Sequence, residues 1–116
     1  MFVVCSEQLL VNELTPRVHN SGHWTQSGSQ TCQFENYLRA IAGAALGSTK
    51  PHGISEMVNL IGSEKPALNA LSATSNLYWY DKSVRSGRTL VHMNSQASDS
   101  KTLNAAMLEF RENIDA

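Results

Sequence analysis

The sequence is poor in charged residues and carries almost no net charge. Charged side chains make up 16% of its 116 residues, and nine basic against ten acidic residues leave a formal net charge of −1. A domain dedicated to nucleic acids is normally distinctly basic, because it must neutralise phosphates. The composition therefore predicts that nucleic acid is not the partner. At this length we expect one modest hydrophobic core.

Long apolar runs and cysteines are scarce as well. No stretch approaches the length of a membrane span, and the N-terminal MFVVCSEQ lacks the basic region, apolar core and cleavage site of a secretory signal. Cys5 and Cys32 lack the CxxC spacing of zinc and redox motifs. We expect no membrane partner, a cytoplasmic location, and two buried free thiols rather than a disulfide.

The most informative stretch is residues 9–24, which read LLVNELTPRVHNSGHW. It opens as a short apolar strand, Glu13 lies where that strand ends, and Pro16 then forces the chain out of regular pairing. The loop that follows is dense in groups that bind an oxyanion or a metal ion, although a polar loop that merely caps a strand has the same composition. These groups are Arg17, His19, Asn20, Ser21 and His23.

Periodicity predicts the elements of the first half. Apolar residues at 1–4 and 9–14 predict a β-hairpin with a four-residue loop, and residues 15–30 predict a loop. Phe34, Leu38 and Ile41 share one face of a helix, for which Thr31 is the expected N-cap and Gly43 or Gly47 the expected end.

The second half predicts strands at residues 56–61, 77–80 and 89–93. Residues 63–75 are ambiguous and include a short helix after Pro66 as one option. A second amphipathic helix follows, with an acceptor-rich start at Ser98 and Asp99. The expected fold is α+β, with strands on one side and two helices on the other. The apolar face of this last helix comprises Leu103, Met107, Phe110 and Ile114.

Two blocks of the sequence resemble a known family. NELTPRVHNSGHWTQ (residues 12–26, here the signature loop) and YWYDKSVRSGRTLVHMN resemble segments of the 5-(carboxyamino)imidazole ribonucleotide synthases, ATP-grasp ligases of purine biosynthesis. CQFENYLRAIAG and MVNLIG fall between them in the family's order. The resemblance implies that residues 1–47 are the last hairpin, loop and helix of an ATP-grasp module, and that residues 48–116 form the small C-terminal α+β domain.

The resemblance also implies roles for particular residues. Glu13 is expected to bind the Mg²⁺ that bridges the ATP phosphates. Lys82 and the second arginine of the basic turn (residues 81–88) are expected to hold the 5′-phosphate of aminoimidazole ribonucleotide. The remaining implied site residues are Arg17, His19 and Asn20 for bicarbonate and carboxyphosphate, and Tyr80, Arg85 and Arg88 for the ribonucleotide.

The implied reaction consumes ATP, bicarbonate and aminoimidazole ribonucleotide, and enzymes of the family are homodimers. They are considerably longer than this chain, which starts just after the position of a further metal-binding glutamate. We therefore expect a C-terminal fragment that is inactive alone. The alternative is a non-catalytic module that uses the apolar faces of its hairpin and first helix to dimerise or to bind a partner.

Several other interpretations are less favoured. His19 and His23 are four residues apart, but Pro16 and Gly22 argue against the helix that would make this spacing a zinc site. No triad that would activate Ser21 is readable from the sequence, and a phosphate-binding module built on the basic turn conflicts with the charge balance. Three departures from the family pattern should loosen or crowd the substrate turn, namely Ser86, Thr89 and Val91. Thr15 is a further departure, in the signature loop.

Overall fold

The computed structural model describes residues 2–5, 8–61, 74–83, 85–87 and 89–115. The short helix considered after Pro66 lies outside these residues, and so does Arg88. The described chain contains three helices and five strands, and its fold is α+β as expected.

The N-terminal strands form an antiparallel hairpin, β1 (Phe2–Cys5) and β2 (Gln8–Val11). Cys5 is opposite Gln8 in the register, so the expected four-residue loop is wrong. β2 also ends earlier than expected, because the chain leaves regular pairing before it reaches Pro16.

The segment predicted as loop contains a 3-10 turn at Asn20–Gly22 and a four-residue helix, α1 (Thr25–Gly28). Hydrogen bonds between nearby side chains and the backbone stabilise both the 3-10 turn and α1. The His19 ring accepts a hydrogen bond from the Ser21 N–H at the start of the 3-10 turn, and Thr25 Oγ1 donates to the carbonyl of Gly22 over 2.6 Å. Such local side-chain caps carry no periodicity, which is why the sequence pattern missed them.

The first amphipathic helix is present as α2 (Gln33–Ile41). Its N-cap is Cys32, without a side-chain hydrogen bond, rather than the expected Thr31. Gly43 follows the helix at φ +66°, the left-handed conformation that commonly ends a helix.

A three-stranded antiparallel sheet forms the centre of the molecule, in the order β3 (Ile54–Ile61), β5 (Thr89–Ala97), β4 (Ser75–Trp79). β5 runs four residues beyond the predicted strand and pairs with both neighbours. Residues paired across antiparallel strands lie on the same face, and successive residues alternate between faces. One face of β5 therefore carries Met93, and the other carries His92 and Asn94.

The apolar face packs against α3 (Ser100–Asp115). Asp99 caps this helix as predicted, since its Oδ1 accepts from the Thr102 N–H over 2.9 Å. Met93, Met107 and Phe110 are at most 3% exposed and form the core. The partly buried residues around this core are Val58, Leu60 and Leu77.

The prediction that two helices cover one side of the sheet is wrong. Only α3, among the described helices of eight or more residues, packs on the sheet, whereas Leu38 and Ile41 of α2 are 65% and 68% exposed. The opposite face of the sheet is polar and is covered by the signature loop. The α2 periodicity identified the helix but not the surface on which it lies.

Two further expectations are resolved in part. Cys32 is a free thiol but is partly exposed rather than buried, and the side chain of Cys5 lies outside the part that the structure describes. Within the described ranges, no helix has the length and apolar character needed to cross a membrane.

We expect Phe110→Ala to lower the free energy of unfolding by about 3–4 kcal/mol, because it leaves a cavity between α3 and the sheet. Urea unfolding followed by circular dichroism measures this loss. Leu108 on the same helix is 60% exposed, so Leu108→Ala should cost less than about 0.5 kcal/mol. Equal losses in both variants would contradict the assigned core.

Candidate functional site

The polar face of the central sheet is buried at its centre. His92 and Asn94 of β5 are each 1% exposed. Asn59 of β3 and Tyr78 of β4 both pair with His92 in the register, so the three side chains form a row across this face. Buried polar groups are costly unless they find hydrogen-bond partners. The signature loop supplies partners for Asn59, His92 and Asn94 Nδ2, whereas Asn94 Oδ1 has none among the described residues.

Two amide contacts attach the loop to the sheet. Asn20 and Asn59 exchange reciprocal side-chain hydrogen bonds of 2.9 and 2.8 Å. Asn94 Nδ2 donates to the carbonyl oxygen of His23 over 2.9 Å. The loop is therefore held at both ends of its 3-10 turn by asparagines of the sheet.

His92 lies at the centre of this interface. Its Nε2 is 2.9 Å from the Gln26 amide oxygen, and its Nδ1 is hydrogen-bonded to the Tyr80 hydroxyl. Since an amide oxygen only accepts, Nε2 carries the proton and Nδ1 accepts from Tyr80. The ring stacks on Tyr78 at a centroid distance of 4.6 Å and lies 4.9 Å from the ring of His23.

Burial fixes the charge of these groups. Desolvation, with a smaller contribution from His23, lowers the pKa of His92 from 6.5 to about 4. Desolvation followed by the nearby His19 lowers the pKa of His23, and burial raises the pKa of Tyr80. His92 is thus neutral and Tyr80 protonated at neutral pH, as their hydrogen bond requires.

The basic turn begins beside this cluster. The Lys82 ammonium lies 4.8 Å from the centroid of the Tyr80 ring, a cation–π contact. A continuous path of contacts therefore runs from Gln26 through His92 and Tyr80 to Lys82. It places the start of the basic turn and the end of the signature loop on the same side of the sheet.

Gln33, the first residue of α2, holds the middle of the signature loop. Its Oε1 accepts from the His19 N–H over 3.0 Å, and its Nε2 donates to the His19 carbonyl over 2.8 Å. Nε2 also lies 2.6 Å from His23 Nδ1. A Cβ on Gly22 would come within 2.5 Å of Gln33 Oε1, so this position requires glycine unless the amide moves.

The side chains of Glu13, His19 and Ser21 form a chain of hydrogen bonds in the signature loop. His19 Nε2 is 2.9 Å from Glu13 Oε1, while its Nδ1 accepts from the Ser21 N–H and lies 2.8 Å from Ser21 Oγ. The proton of a neutral His19 is therefore on Nε2, directed at Glu13. This hydrogen bond is partly exposed, with 29% of the His19 side chain and 46% of the Glu13 side chain accessible.

The surroundings of Glu13 do not by themselves fit magnesium. Within the part of the chain that the structure describes, no three His, Cys, Asp or Glu side chains are grouped closely enough to share a metal ion. Mg²⁺ requires near-octahedral oxygen coordination, to which one carboxylate contributes one or two ligands. Its remaining ligands would have to come from elsewhere.

The predicted site residues are only partly brought together. Arg17 is exposed, donates from Nη1 to the Val18 carbonyl over 3.0 Å, and lines a groove of about 400 Å³ with Tyr37 of α2. Arg85 is exposed in the basic turn. The predicted residues that contact one another are His19 with Glu13 and Tyr80 with Lys82, while Asn20 binds the sheet.

Two families of known proteins match the chain. Residues 1–34 match the ATP-grasp domain, and residues 55–106 match the phosphoribosylaminoimidazole carboxylase C-terminal domain. The N5-carboxyaminoimidazole ribonucleotide synthase of Vibrio cholerae is 46% identical over 109 residues, which are 93% of this chain and 29% of that protein. Over most of its length the chain is similar to the C-terminal part of the N5-carboxyaminoimidazole ribonucleotide synthases.

Solved synthases have the same fold. The N5-carboxyaminoimidazole ribonucleotide synthetase of Thermus thermophilus superposes with a TM-score of 0.90 at 45% identity, covering 99% of this chain and 32% of its own. The Aspergillus clavatus synthase, in complex with ADP and 5-aminoimidazole ribonucleotide, superposes with a TM-score of 0.86 at 26% identity, covering 99% and 34%. The chain thus spans about three tenths of the length of the synthases it matches.

The synthase resemblance pointed to charged residues and overlooked the neutral groups that position them. Gln26, Gln33 and Asn59 were not singled out, although they make the contacts that hold the loop. The alternation of apolar and polar residues from Val91 to Asn94 in β5 is a sequence signal that could have placed His92 opposite the core. Val91 departs from the synthase pattern and is fully buried in β5; its expected effect on the substrate turn stays a prediction.

We expect the His92 imidazole to remain neutral down to about pH 5, because protonation would place a charge in a buried site. The native pKa lies below that of an unfolded histidine, so the stability gained from neutral His92 is complete above about pH 6.5. It decreases as pH falls toward 4, by roughly 2–3 kcal/mol in all. NMR titration of the ring and urea unfolding at several pH values measure both effects.

The control for this titration is His52, which is exposed. His52→Gln should leave the pH dependence unchanged, whereas His92→Gln should remove its steepest part. A His92 ring that titrates near pH 6.5 would contradict the buried neutral assignment.

Gln33→Leu should loosen the signature loop, because the His19 N–H loses its partner and the His19 carbonyl keeps only the Gly22 N–H. We expect the His19 amide to exchange with deuterium at least about tenfold faster, corresponding to one lost hydrogen bond of about 1.5 kcal/mol. Gln30→Leu, at an exposed position on the same segment, is the matched control. Unchanged protection of His19 in Gln33→Leu would refute the role of Gln33.

Proposed function

We propose that this chain forms the bicarbonate- and ribonucleotide-binding end of an ATP-dependent ligase that carboxylates 5-aminoimidazole ribonucleotide. In that reaction ATP phosphorylates bicarbonate to carboxyphosphate, which delivers CO₂ to the exocyclic amine. The products are the carboxyamino nucleotide, ADP and phosphate. The Aspergillus clavatus relative was solved with ADP and 5-aminoimidazole ribonucleotide, which supports this choice of substrate.

The observation that carries the proposal is the contact path from Gln26 through His92 and Tyr80 to Lys82. A ligase that joins a carbonate unit to a nucleotide must hold both next to each other, since positioning supplies much of the rate. The three side chains that lead to Lys82 are neutral and partly or fully buried, so they support the loop and the turn without adding charge to an anion site. The path gives the loop and the turn one common support.

The carbonate end is assigned to three residues of the signature loop. The Arg17 guanidinium suits a planar anion, with which it forms two parallel hydrogen bonds. His19 is held in one tautomer by Glu13 and in one backbone position by Gln33. Asn20 uses one donor on Asn59 and keeps a second N–H that is able to orient a bound anion. Preorganised donors of this kind stabilise the charge that develops as carboxyphosphate forms and decomposes.

The ribonucleotide end is assigned to the basic turn. Lys82 lies over Tyr80 and is expected to bind the 5′-phosphate together with Arg88, while Arg85 adds positive potential from an exposed position. Asp81 at φ +50° and Gly87 at φ +73° bend the backbone of this turn tightly. We expect a turn of this kind to bring its cations within reach of one phosphate dianion.

The requirements beyond these two ends remain predictions. ATP binding is expected from the match to the ATP-grasp domain, and Glu13 is expected to give one ligand to Mg²⁺, which supplies positive charge at the phosphates when bound. Bicarbonate as the co-substrate, a homodimer and a cytoplasmic location are likewise proposed. Because the chain matches three tenths of a synthase, we expect no ATP turnover by the 116 residues alone.

Titration of the chain with 5-aminoimidazole ribonucleotide, followed by residue-resolved NMR, tests the ribonucleotide end. We expect shifts in the basic turn and in residues 17–23, and Lys82→Ala should weaken binding at least about tenfold through loss of a charge-assisted bond. Lys101→Ala, at an exposed position on α3, is the matched control. Shifts confined to other surfaces, or an equal effect of both variants, would overturn the assignment.

A further inference from the structure

Asp81 holds a backbone conformation that residues with a side chain rarely adopt. Its φ is +50°, and within the ranges that the structure describes it is the one residue other than glycine with a positive φ. Glycine is the usual residue for this left-handed conformation, as at Gly87 near the other end of the basic turn. Such backbone strain concentrates at functional sites, where the surrounding structure maintains it.

The residue before Asp81 is fixed at both its backbone and its side chain. The Tyr80 N–H donates to the Leu90 carbonyl over 3.0 Å, which extends the pairing of β4 with β5 by one residue beyond Trp79. The Tyr80 hydroxyl is hydrogen-bonded to the buried His92. The bend at Asp81 therefore starts from a defined position.

The residue after Asp81 is oriented by that bend. Because peptide groups are planar, the relative direction of the side chains at positions 80 and 82 depends largely on φ and ψ of the residue between them. In the observed conformation the Lys82 ammonium lies 4.8 Å from the centroid of the Tyr80 ring. The exposed Asp81 carboxylate has no hydrogen bond or ion pair with a described residue. The contribution of Asp81 thus lies in its backbone conformation.

We propose that Asp81 is a positioning residue for the ribonucleotide end of the site, a role that rests on the function proposed above. Its left-handed backbone places the Lys82 ammonium over the Tyr80 ring, where the ammonium is held for the 5′-phosphate. Asparagine and glycine adopt this conformation readily, whereas a β-branched residue such as valine is a genuine outlier in it. Valine at this position should therefore return the backbone to an extended conformation and move the ammonium off the ring.

Two substitutions separate the backbone of Asp81 from its charge, because both remove the carboxylate. Asp81→Asn keeps the left-handed conformation, and Asp81→Val does not. In NMR spectra of the chain without ligand, the ring current of Tyr80 should shift the Lys82 side-chain protons in the parent chain and in Asp81→Asn. Loss of this shift in Asp81→Val is the expected result, and its retention would overturn the proposal.

The core methionines show whether the valine variant still folds. The methyl signals of Met93 and Met107 should be the same in all three proteins, since both side chains pack on the opposite face of the sheet. If Asp81→Val does not fold, Asp81→Ala takes its place, because alanine also disfavours a positive φ but is not β-branched. An unchanged Lys82 shift in a folded Asp81→Ala chain would then overturn the proposal.

Binding of 5-aminoimidazole ribonucleotide tests the consequence for the site. Asp81→Val should weaken binding at least about tenfold, through loss of the charge-assisted bond from Lys82 to the phosphate. Asp81→Asn should bind at least as tightly as the parent chain, since it removes a negative charge near the phosphate. The riboside that lacks the phosphate should bind all three proteins equally.

A double-mutant cycle distinguishes positioning of Lys82 from a merely structural effect. In a Lys82→Ala background, Asp81→Val should change binding by less than about twofold, because both substitutions remove the same interaction. An undiminished loss in that background, or an equal loss for the riboside, would refute the positioning role. A parent chain that does not bind the ribonucleotide would refute the proposed function instead, and the spectra without ligand would still decide whether Asp81 places Lys82.

Discussion

Burial of a neutral imidazole between a loop and a sheet is the interaction on which the arrangement depends. His92 is 1% exposed and has a polar partner on each ring nitrogen, one from the signature loop and one from the residue that follows β4. An unpaired nitrogen at this depth would cost about 1–3 kcal/mol. The two partners therefore stabilise the buried ring together, and each fixes the position of a segment that the proposed ligase needs.

The central sheet separates two kinds of packing. On one side Met93 meets Met107 and Phe110, where shape and apolar area decide stability. On the other side asparagine and histidine side chains form hydrogen bonds with backbone and amide groups. There the directions of donors and acceptors determine stability. The apolar side tolerates swaps of similar volume, whereas the polar side fixes a unique loop conformation.

Sequence periodicity found the elements but not all of their neighbours. The apolar spacing of α3 predicted both the helix and its core face, because that face has a partner within the chain. The same reasoning located α2 but assigned it to the sheet, since periodicity does not say what covers a face. β2 read as an ordinary strand, although its side chains are exposed on both faces.

The candidate site was predicted unevenly for a related reason. Charged and ring-bearing residues such as Lys82 and His19 stand out in a polar loop and were identified from the resemblance. Gln33 and Asn59 act through hydrogen bonds between residues 14 and 39 positions apart along the chain, which no local pattern encodes. Arg17 was expected beside the other loop residues but lines a groove toward α2.

Because side chains of β5 alternate between the two faces of the sheet, this one strand contributes both to the apolar core and to the polar interface with the signature loop. A shift of the strand register by one residue would bury the His92 imidazole in the methionine core and place the Met93 thioether among the amides of the polar face. Both changes would destabilise the sheet. The packing on each face of the sheet therefore specifies the register of this strand independently. An insertion or deletion within β5 should consequently abolish both folding and ligand binding. Changes at the ends of β5 should affect one of the two without the other.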